Sequence, residues 1–343
     1  MKLPISFLLS AIILLAPTSS AFAWGDKGHQ TVGKIAALRI KPRTAARIAQ
    51  ILKPGETLAN IASWADTVKT RVGKTDPDED TNAFLQDVAH NEKNGEWHYD
   101  DLPLGCKSYE TCTGFTPDND VVHMLNVCIR TLQGHPDPEH PLSPRVALKL
   151  LVHFLGDMHQ PLHIGCGFID AGGPNGAIFI AADPVLIKQK NLPSDRGGNQ
   201  LIINAAGRNL HSFWDFDLVD SLMLSTGKQD PDSLGTFLRV SVQPKSNWNP
   251  RGELSTWAAQ WATDSLDQSR THTYKSVKIT GQRTITVKTR DGQTVMRDGK
   301  PVTDIVWDVT RANDYEAVNR EVVRRQLAKG GYRLAKLLDA IFE

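Results

Sequence analysis

The sequence predicts a mainly α-helical single domain with one small β-hairpin insertion, and three observations lead there. Apolar residues recur at three- and four-residue spacing over several long stretches, the pattern by which a helix turns one face to a core. Alternation of apolar and polar residues is confined to one segment toward the C-terminus. Hydrophobic residues make up 40% of the 343, enough to fill the core of one large domain.

The first 23 residues stand apart. Lys2 supplies a basic start, residues 5–16 are apolar, and Ala21-Phe22-Ala23 has the small-x-small pattern of a processing site. The run is shorter than the roughly 20 residues a bilayer span needs. It therefore predicts a signal peptide removed after Ala23, a mature chain that starts at Trp24, and a secreted or periplasmic protein. Helices are expected over 28–51, ending before Lys53-Pro54-Gly55, and over 58–72, 118–133 and 144–160, the last stopped by Pro161. Residues 210–223 and 315–342 complete the set, with Gly330-Gly331 a candidate break. Residues 164–194, rich in Gly, Ala and Pro, read as an inserted loop. The alternating segment is 274–308, with turns expected at Asp291-Gly292 and Asp298-Gly299.

The formal net charge is +1, which excludes a global basic field for gathering nucleic acid. Recognition of any polyanion must be local. Four cysteines, Cys106, Cys112, Cys128 and Cys166, fit an oxidising compartment. They allow three pairings; the short Cys106–Cys112 loop favours that bridge, with Cys128–Cys166 as its complement.

The chemistry concentrates in histidine and aspartate. His153 and Asp157 are four apart on an expected helix, so imidazole and carboxylate project from one face about a turn apart. His163 follows Pro161 in the exit turn. His211 and Asp215 repeat the spacing on another helix. One such pair is an ordinary ion pair; two on separate helices are what a metal site in a bundle core requires. Imidazole and carboxylate without thiolate favour zinc, with manganese or iron as alternatives. His159 falls on a different face and reads as structural, while His90, His123, His135, His140 and His272 lack such company.

Three further fragments join the set. Asp66 and Lys69 share a helix face. In Trp97-His98-Tyr99-Asp100-Asp101, read as extended, His98 and Asp100 point one way and Tyr99 and Asp101 the other. A mature terminus at Trp24, five residues before His29, would offer an α-amino group with a pKa of about 7.7–8.0, easily deprotonated beside a cation.

Taken together, Trp24 with His29, Asp66 with Lys69, His98 with Asp101, His153-x3-Asp157-x5-His163 and His211-x3-Asp215 resemble the zinc-dependent single-strand nuclease family, related in fold to zinc-dependent phospholipase C. Asp195-Arg-Gly-Gly-Asn199, Asn209-Leu-His211 and Lys329-Gly-Gly-Tyr-Arg-Leu-Ala335 extend the resemblance from Trp24 to the C-terminus. It implies a helical bundle and three zinc ions. Asp66, His98, His153 and Asp157 would hold one; Asp157, His29 and the amine and carbonyl of Trp24 a second; His163, His211 and Asp215 a third. It also implies hydrolysis of single-stranded DNA and RNA to 5′-phosphate products, with action on 3′-nucleotides. Asp101 would orient the attacking water and Lys69 would neutralise charge on the phosphate. Tyr99 would stack on a base, and Asp195, Gly198 and Asn199 would meet its edge. No stable membrane association is expected, and the chain is expected to be a monomer. The alternative is a phospholipase C-like phosphodiesterase, against which Asp215 speaks, since phospholipases typically carry Glu there. Three features depart from the family pattern: the segments 164–194 and 274–308, and the cysteine placement.

Overall fold

The computed structural model describes residues 24–71, 78–289 and 292–343. The expected signal peptide, the end of the 58–72 helix and Asp291 of the expected turn lie outside the described residues. The helices are α1 (Asp26–Ala37), α2 (Pro42–Ile51), α3 (Trp64–Lys69), α4 (Glu79–Gln86), α5 (Val88–Lys93), α6 (Val121–Leu132), α7 (Pro144–Met158), α8 (Pro184–Lys190), α9 (Leu210–Ser212), α10 (Leu218–Thr226), α11 (Pro231–Ser241), α12 (Trp257–Gln268) and α13 (Tyr315–Phe342). The short strands are β1 (Leu102–Pro103), β2 (Gly165–Cys166), β3 (Phe168–Asp170), β4 (Phe179–Ala181) and β5 (Leu201–Ile202). After them come β6 (Lys278–Thr286), β7 (Met296–Arg297), β8 (Lys300–Pro301) and β9 (Thr303–Thr310). The architecture is mainly α with small sheets, as the periodicity predicts.

At the centre lies α7, buried along nearly its whole length after its first turn. Ser143 caps it by accepting from the Val146 amide, and Pro144 occupies its first turn, where a missing N–H costs nothing. Around it pack α1, α3, α6, α12 and α13, with α11 against α1. Helix α13 runs unbroken through Gly330-Gly331. These glycines face α1 and His159, and a side chain at Gly331 would collide with Ile35, so they permit close helix approach and do not end the helix.

Several expected boundaries are corrected. The 28–51 helix is two, because Pro42 starts a new helix and cannot donate to the preceding turn. Among the described residues of 58–72, only Trp64–Lys69 is regular helix. The 210–223 helix contains a π-helical segment, Phe213–Asp217. Residues 164–194 are not a structureless loop: β3 and β4 form an antiparallel pair, followed by α8. The sequence reading passed over α4, α5, α11 and α12.

The 274–308 segment forms the expected hairpin, an antiparallel β6–β9 arm ending in the small β7–β8 pair. The Asp298-Gly299 turn has φ values of 50° and 74°. One sheet has the order β5-β9-β6, with β5 parallel to β9. Cys106 and Cys112 are bonded as expected, whereas Cys128 and Cys166 are free. Cys128 is buried in α6, while the Cys166 thiol donates to Asp195 Oδ1 at 3.2 Å.

Candidate metal centre

Two turns of α7 set the centre. His153 and Asp157 are both wholly buried, and His153 Nε2 lies 3.2 Å from Asp157 Oδ2. Helix α3 brings Asp66, whose Oδ1 is 3.7 Å from His153 Nε2, and Lys69, whose Nζ is 2.6 Å from that same oxygen. His98 ends a 3₁₀ turn, Glu96–His98, and places Nδ1 2.9 Å from Asp157 Oδ2. The stretch 97–101 is thus not uniformly extended, because this turn aims His98 inward. From α1, His29 stacks on His153 at 3.9 Å and places Nε2 3.2 Å from Asp157 Oδ1. Gly156 makes this possible, since a Cβ there would lie 2.5 Å from His29 Nδ1. The two oxygens of Asp157 therefore face different partners, His98 and His153 on one side and His29 on the other.

The second gathering joins His163, His211 and Asp215. His163 ends the 3₁₀ turn Pro161–His163, His211 lies in α9, and Asp215 sits in the π segment. An extra residue in a helical turn re-aims the side chain that follows, and π segments recur at functional sites. Backbone pairing ties both gatherings together: the Asp100 amide donates to the His163 carbonyl at 2.7 Å, and β1 pairs with β2.

Carbonyl partners fix the ring tautomers. A carbonyl only accepts, so Nδ1 carries the proton in His153 (to Ala62, 2.6 Å), His163 (to His98, 2.7 Å) and His211 (to Gly197, 2.7 Å). Each Nε2 then presents a lone pair. The Nε2 atoms of His163 and His211 are 3.1 Å apart, and Asp215 Oδ2 is 3.4 Å from that of His211. Two lone pairs and a carboxylate pointed at one another repel unless a proton or a metal cation lies among them, and a metal cation is the one partner that can serve all three at once.

The electrostatics favour neutral rings at His98 and His163, while at His153 burial is outweighed by Asp157 and Asp66, which raise its pKa. Burial holds the pKa of both His98 and His163 down to about 4, the neutral form a metal needs. Burial drives the Asp215 carboxyl well above the usual range, opposed by the Gln160 amide. Burial also works against charged Asp66 and Asp157, but Lys69 and the histidines outweigh it at Asp66, and His153, His163 and His29 outweigh it at Asp157, holding both low. His29 Nδ1, Asp66 Oδ2 and Asp215 Oδ2 are buried without a hydrogen bond. Buried polar atoms are seldom left so, and a bound cation is the partner this donor set fits.

Other expected residues fall around this centre. Trp24 is wholly buried beside Gly28, and the next amide, of Gly25, donates to the Asp215 carbonyl at 3.1 Å. Asp101 is half-buried and accepts from Ser194 Oγ at 3.4 Å. Tyr99 is half-buried, with Asp101 and Arg196 close enough to influence its hydroxyl. Two base-edge expectations need correction. Asp195 is wholly buried, and its Oδ1 accepts from Gly198, Gly167, Tyr274 and Cys166, so it holds the loop from beneath instead of facing a base. The Gly198 amide is spent on the same oxygen, and its φ of 80° shows why glycine stands there. Asn199 is half-buried and bonds the Arg196 carbonyl through Nδ2. His159 is away from the centre, bonded to the Leu155 carbonyl and Arg333.

Sequence reasoning missed Gln160. Its Nε2 donates to Asp215 Oδ1 at 2.8 Å while its Oε1 accepts from the Leu162 amide at 2.7 Å. No local spacing marks this role, which depends on a partner 55 residues away.

With the geometry in view, comparisons place the chain among known proteins. The family model described as S1/P1 Nuclease matches residues 24–343. The chain is 26% identical to Nuclease S1 of Aspergillus oryzae, over 95% of this chain and 94% of that one. It is 26% identical to Nuclease P1 of Penicillium citrinum (93% and 97%) and 24% identical to Endonuclease 4 of Arabidopsis thaliana (96% and 93%). The match to the S1/P1 nuclease model over residues 24–343 shows that the chain belongs to the S1/P1 nuclease family.

Proposed function

We propose that the protein is a secreted, zinc-dependent endonuclease that hydrolyses single-stranded DNA and RNA to 5′-phosphate products and also acts on 3′-nucleotides. The observation that carries the metal reading is the opposed lone pairs of His163 and His211 beside Asp215. By donor set, Asp66, His98, His153 and Asp157 would hold one zinc, and Asp157, His29 and the amine and carbonyl of Trp24 a second. His163, His211 and Asp215 would hold the third. When bound, zinc would lower the pKa of water toward about 7 and steady charge on oxygens around phosphorus.

The chain's own residues do the rest. Lys69 holds its ammonium at the edge of the first gathering, where it neutralises a phosphate oxygen. Asp101, set by Ser194, accepts a hydrogen bond from the attacking water and aims it in line with the 3′ oxygen. Tyr99 stacks on a base, which must leave its own stack first; this gives the single-strand preference. Asn199 is the side chain left to meet the base edge. The family match begins at Trp24, the residue expected to follow the signal peptide, and no helix among the described residues is long and apolar enough to cross a membrane.

The test is substrate choice by the purified mature protein. It should cleave single-stranded DNA and RNA, spare duplex DNA and phosphatidylcholine, and lose activity on chelation until zinc is restored. Preference for phosphatidylcholine would move the assignment to the phospholipase side.

A further inference from the structure

We propose that the two segments that depart from the family pattern, 164–194 and 274–308, together form an accessory surface that binds the nucleic-acid strand beyond the nucleotide being cut. The inference rests on the nuclease reading above and adds a contact surface to it. Three observations carry it.

The first is where the arm points. Strand β5 is parallel to β9, with Leu201 opposite Trp307 and Ile202 opposite Asp308. The residues before Leu201, the 195–199 loop, therefore run beside the outer half of β9. Contacts agree: Arg196 Nη1 meets Asp304 Oδ2 at 3.0 Å, Gln200 Nε2 meets Asp304 Oδ1 at 2.8 Å, and the Trp307 amide donates to the Gln200 carbonyl at 2.8 Å. The arm continues past this loop to Lys300, about 13 Å beyond Asp304 at the usual strand rise.

The second is a groove of about 470 Å³ between the two segments. Leu192 and Pro193 form part of one wall, and Gln282, Ile305 and Trp307 the other. Both walls run directly into the site. Pro193 precedes Ser194, which bonds Asp101, and Ile305 follows Asp304, which bonds Arg196. The Lys190–Asp170 ion pair (2.7 Å) also lines the groove, and the remaining apolar walls with the Gln282 amide suit an unstacked base.

The third is charge. Lys288, Arg297 and Lys300 are exposed at the outer end of the arm. The acids nearer its base are already engaged, Asp304 by Arg196 and Gln200, and Asp308 by Arg283 at 3.1 Å. The outer end also carries an exposed acid, Asp298, so Lys288, Arg297 and Lys300 leave a net positive balance among these four groups just past the substrate loop. The phosphates of a strand leaving the cleft are the ligand that charge fits.

The test compares kcat/KM on a dinucleotide with that on a single strand of about 15 nucleotides, over a series of salt concentrations. The triple variant K288A/R297A/K300A should cleave the dinucleotide like wild type and lose about tenfold on the long strand at low salt. Its log–log salt slope on the long strand should be shallower by about 2, from three lost contacts at roughly 0.7 each. I305D, which puts a carboxylate in the groove, should show the same selective loss. Equal loss on both substrates, or no loss and an unchanged slope on the long strand, would overturn the proposal. Failure of the wild-type protein to cut either substrate would sink the nuclease reading, and this inference with it.

Discussion

The helical centre and the substrate side beside it are built on different principles. At the centre, His153 and Asp157 are a turn apart on one helix, and their neighbours come from short turns locked by backbone carbonyls. On the substrate side, a glycine-rich loop is held from below by a buried carboxylate and flanked by two strand-containing segments. The contrast teaches that rigid helices fix the reacting groups, while loops and hairpins shape what reaches them.

The sharpest way to break the centre is Asp157→Asn. Asp157 faces His29 with one oxygen and His98 and His153 with the other, so one substitution should empty the two proposed zinc sites of the first gathering together. Activity should fall by roughly 10³-fold or more, with metal content reduced by more than one ion per chain. Loss of a single ion would show that Asp157 does not bridge.

Gln160→Ala acts on one gathering only. It removes the donor to Asp215 Oδ1 and should weaken metal binding there by about 10- to 100-fold, the usual effect of losing a partner behind a ligand. Zinc titration should show the other ions retained; their loss would contradict the separation. On the substrate side, Tyr99→Ala should lower kcat/KM on single-stranded DNA by about tenfold and leave metal content unchanged. Wild-type activity in that variant would remove the stacking role.

The smallest effect is a control outside both regions. Burial raises the Asp120 carboxyl to about 6, although the Tyr109 hydroxyl and the His123 amide favour its anion. Between an ordinary carboxylate pKa of 3.8 and 6, the native state therefore holds more proton than the unfolded chain. The stability this group contributes is complete below about 3.8 and is lost as pH rises through 6. Asp120→Asn keeps the cap on α6 and should gain about 1 to 3 kcal/mol relative to wild type between pH 4 and pH 7.5. Denaturant unfolding at the two pH values checks this, with activity unaffected. A constant difference across pH would contradict the sign.

How much of this was legible in the sequence follows the same division. His153, Asp157, His211 and Asp215 show as four-residue spacings because a helix turns local spacing into shared direction. The π segment is not legible, since nothing in Phe213–Asp217 announces an extra residue per turn. Gln160 and the carbonyls of Ala62 and Gly197 are invisible for the same reason: their roles come from chain segments far away. Asp195 carried the right motif but the wrong role, because a motif shows which residues gather and not which way a carboxylate faces. The alternation in 278–288 did reveal the arm, while its attachment to the 195–199 loop needed the parallel pairing of β5 with β9.

The central claim is that processing and metal binding meet at one residue, Trp24. The most direct measurement is N-terminal sequencing followed by metal analysis, on the mature protein and on a form that retains residues 1–23. The account predicts Trp24 as the first residue with three zinc ions per chain, and at least one fewer ion with weakened activity when the leader remains. Three zinc ions and full activity with the leader attached would contradict it.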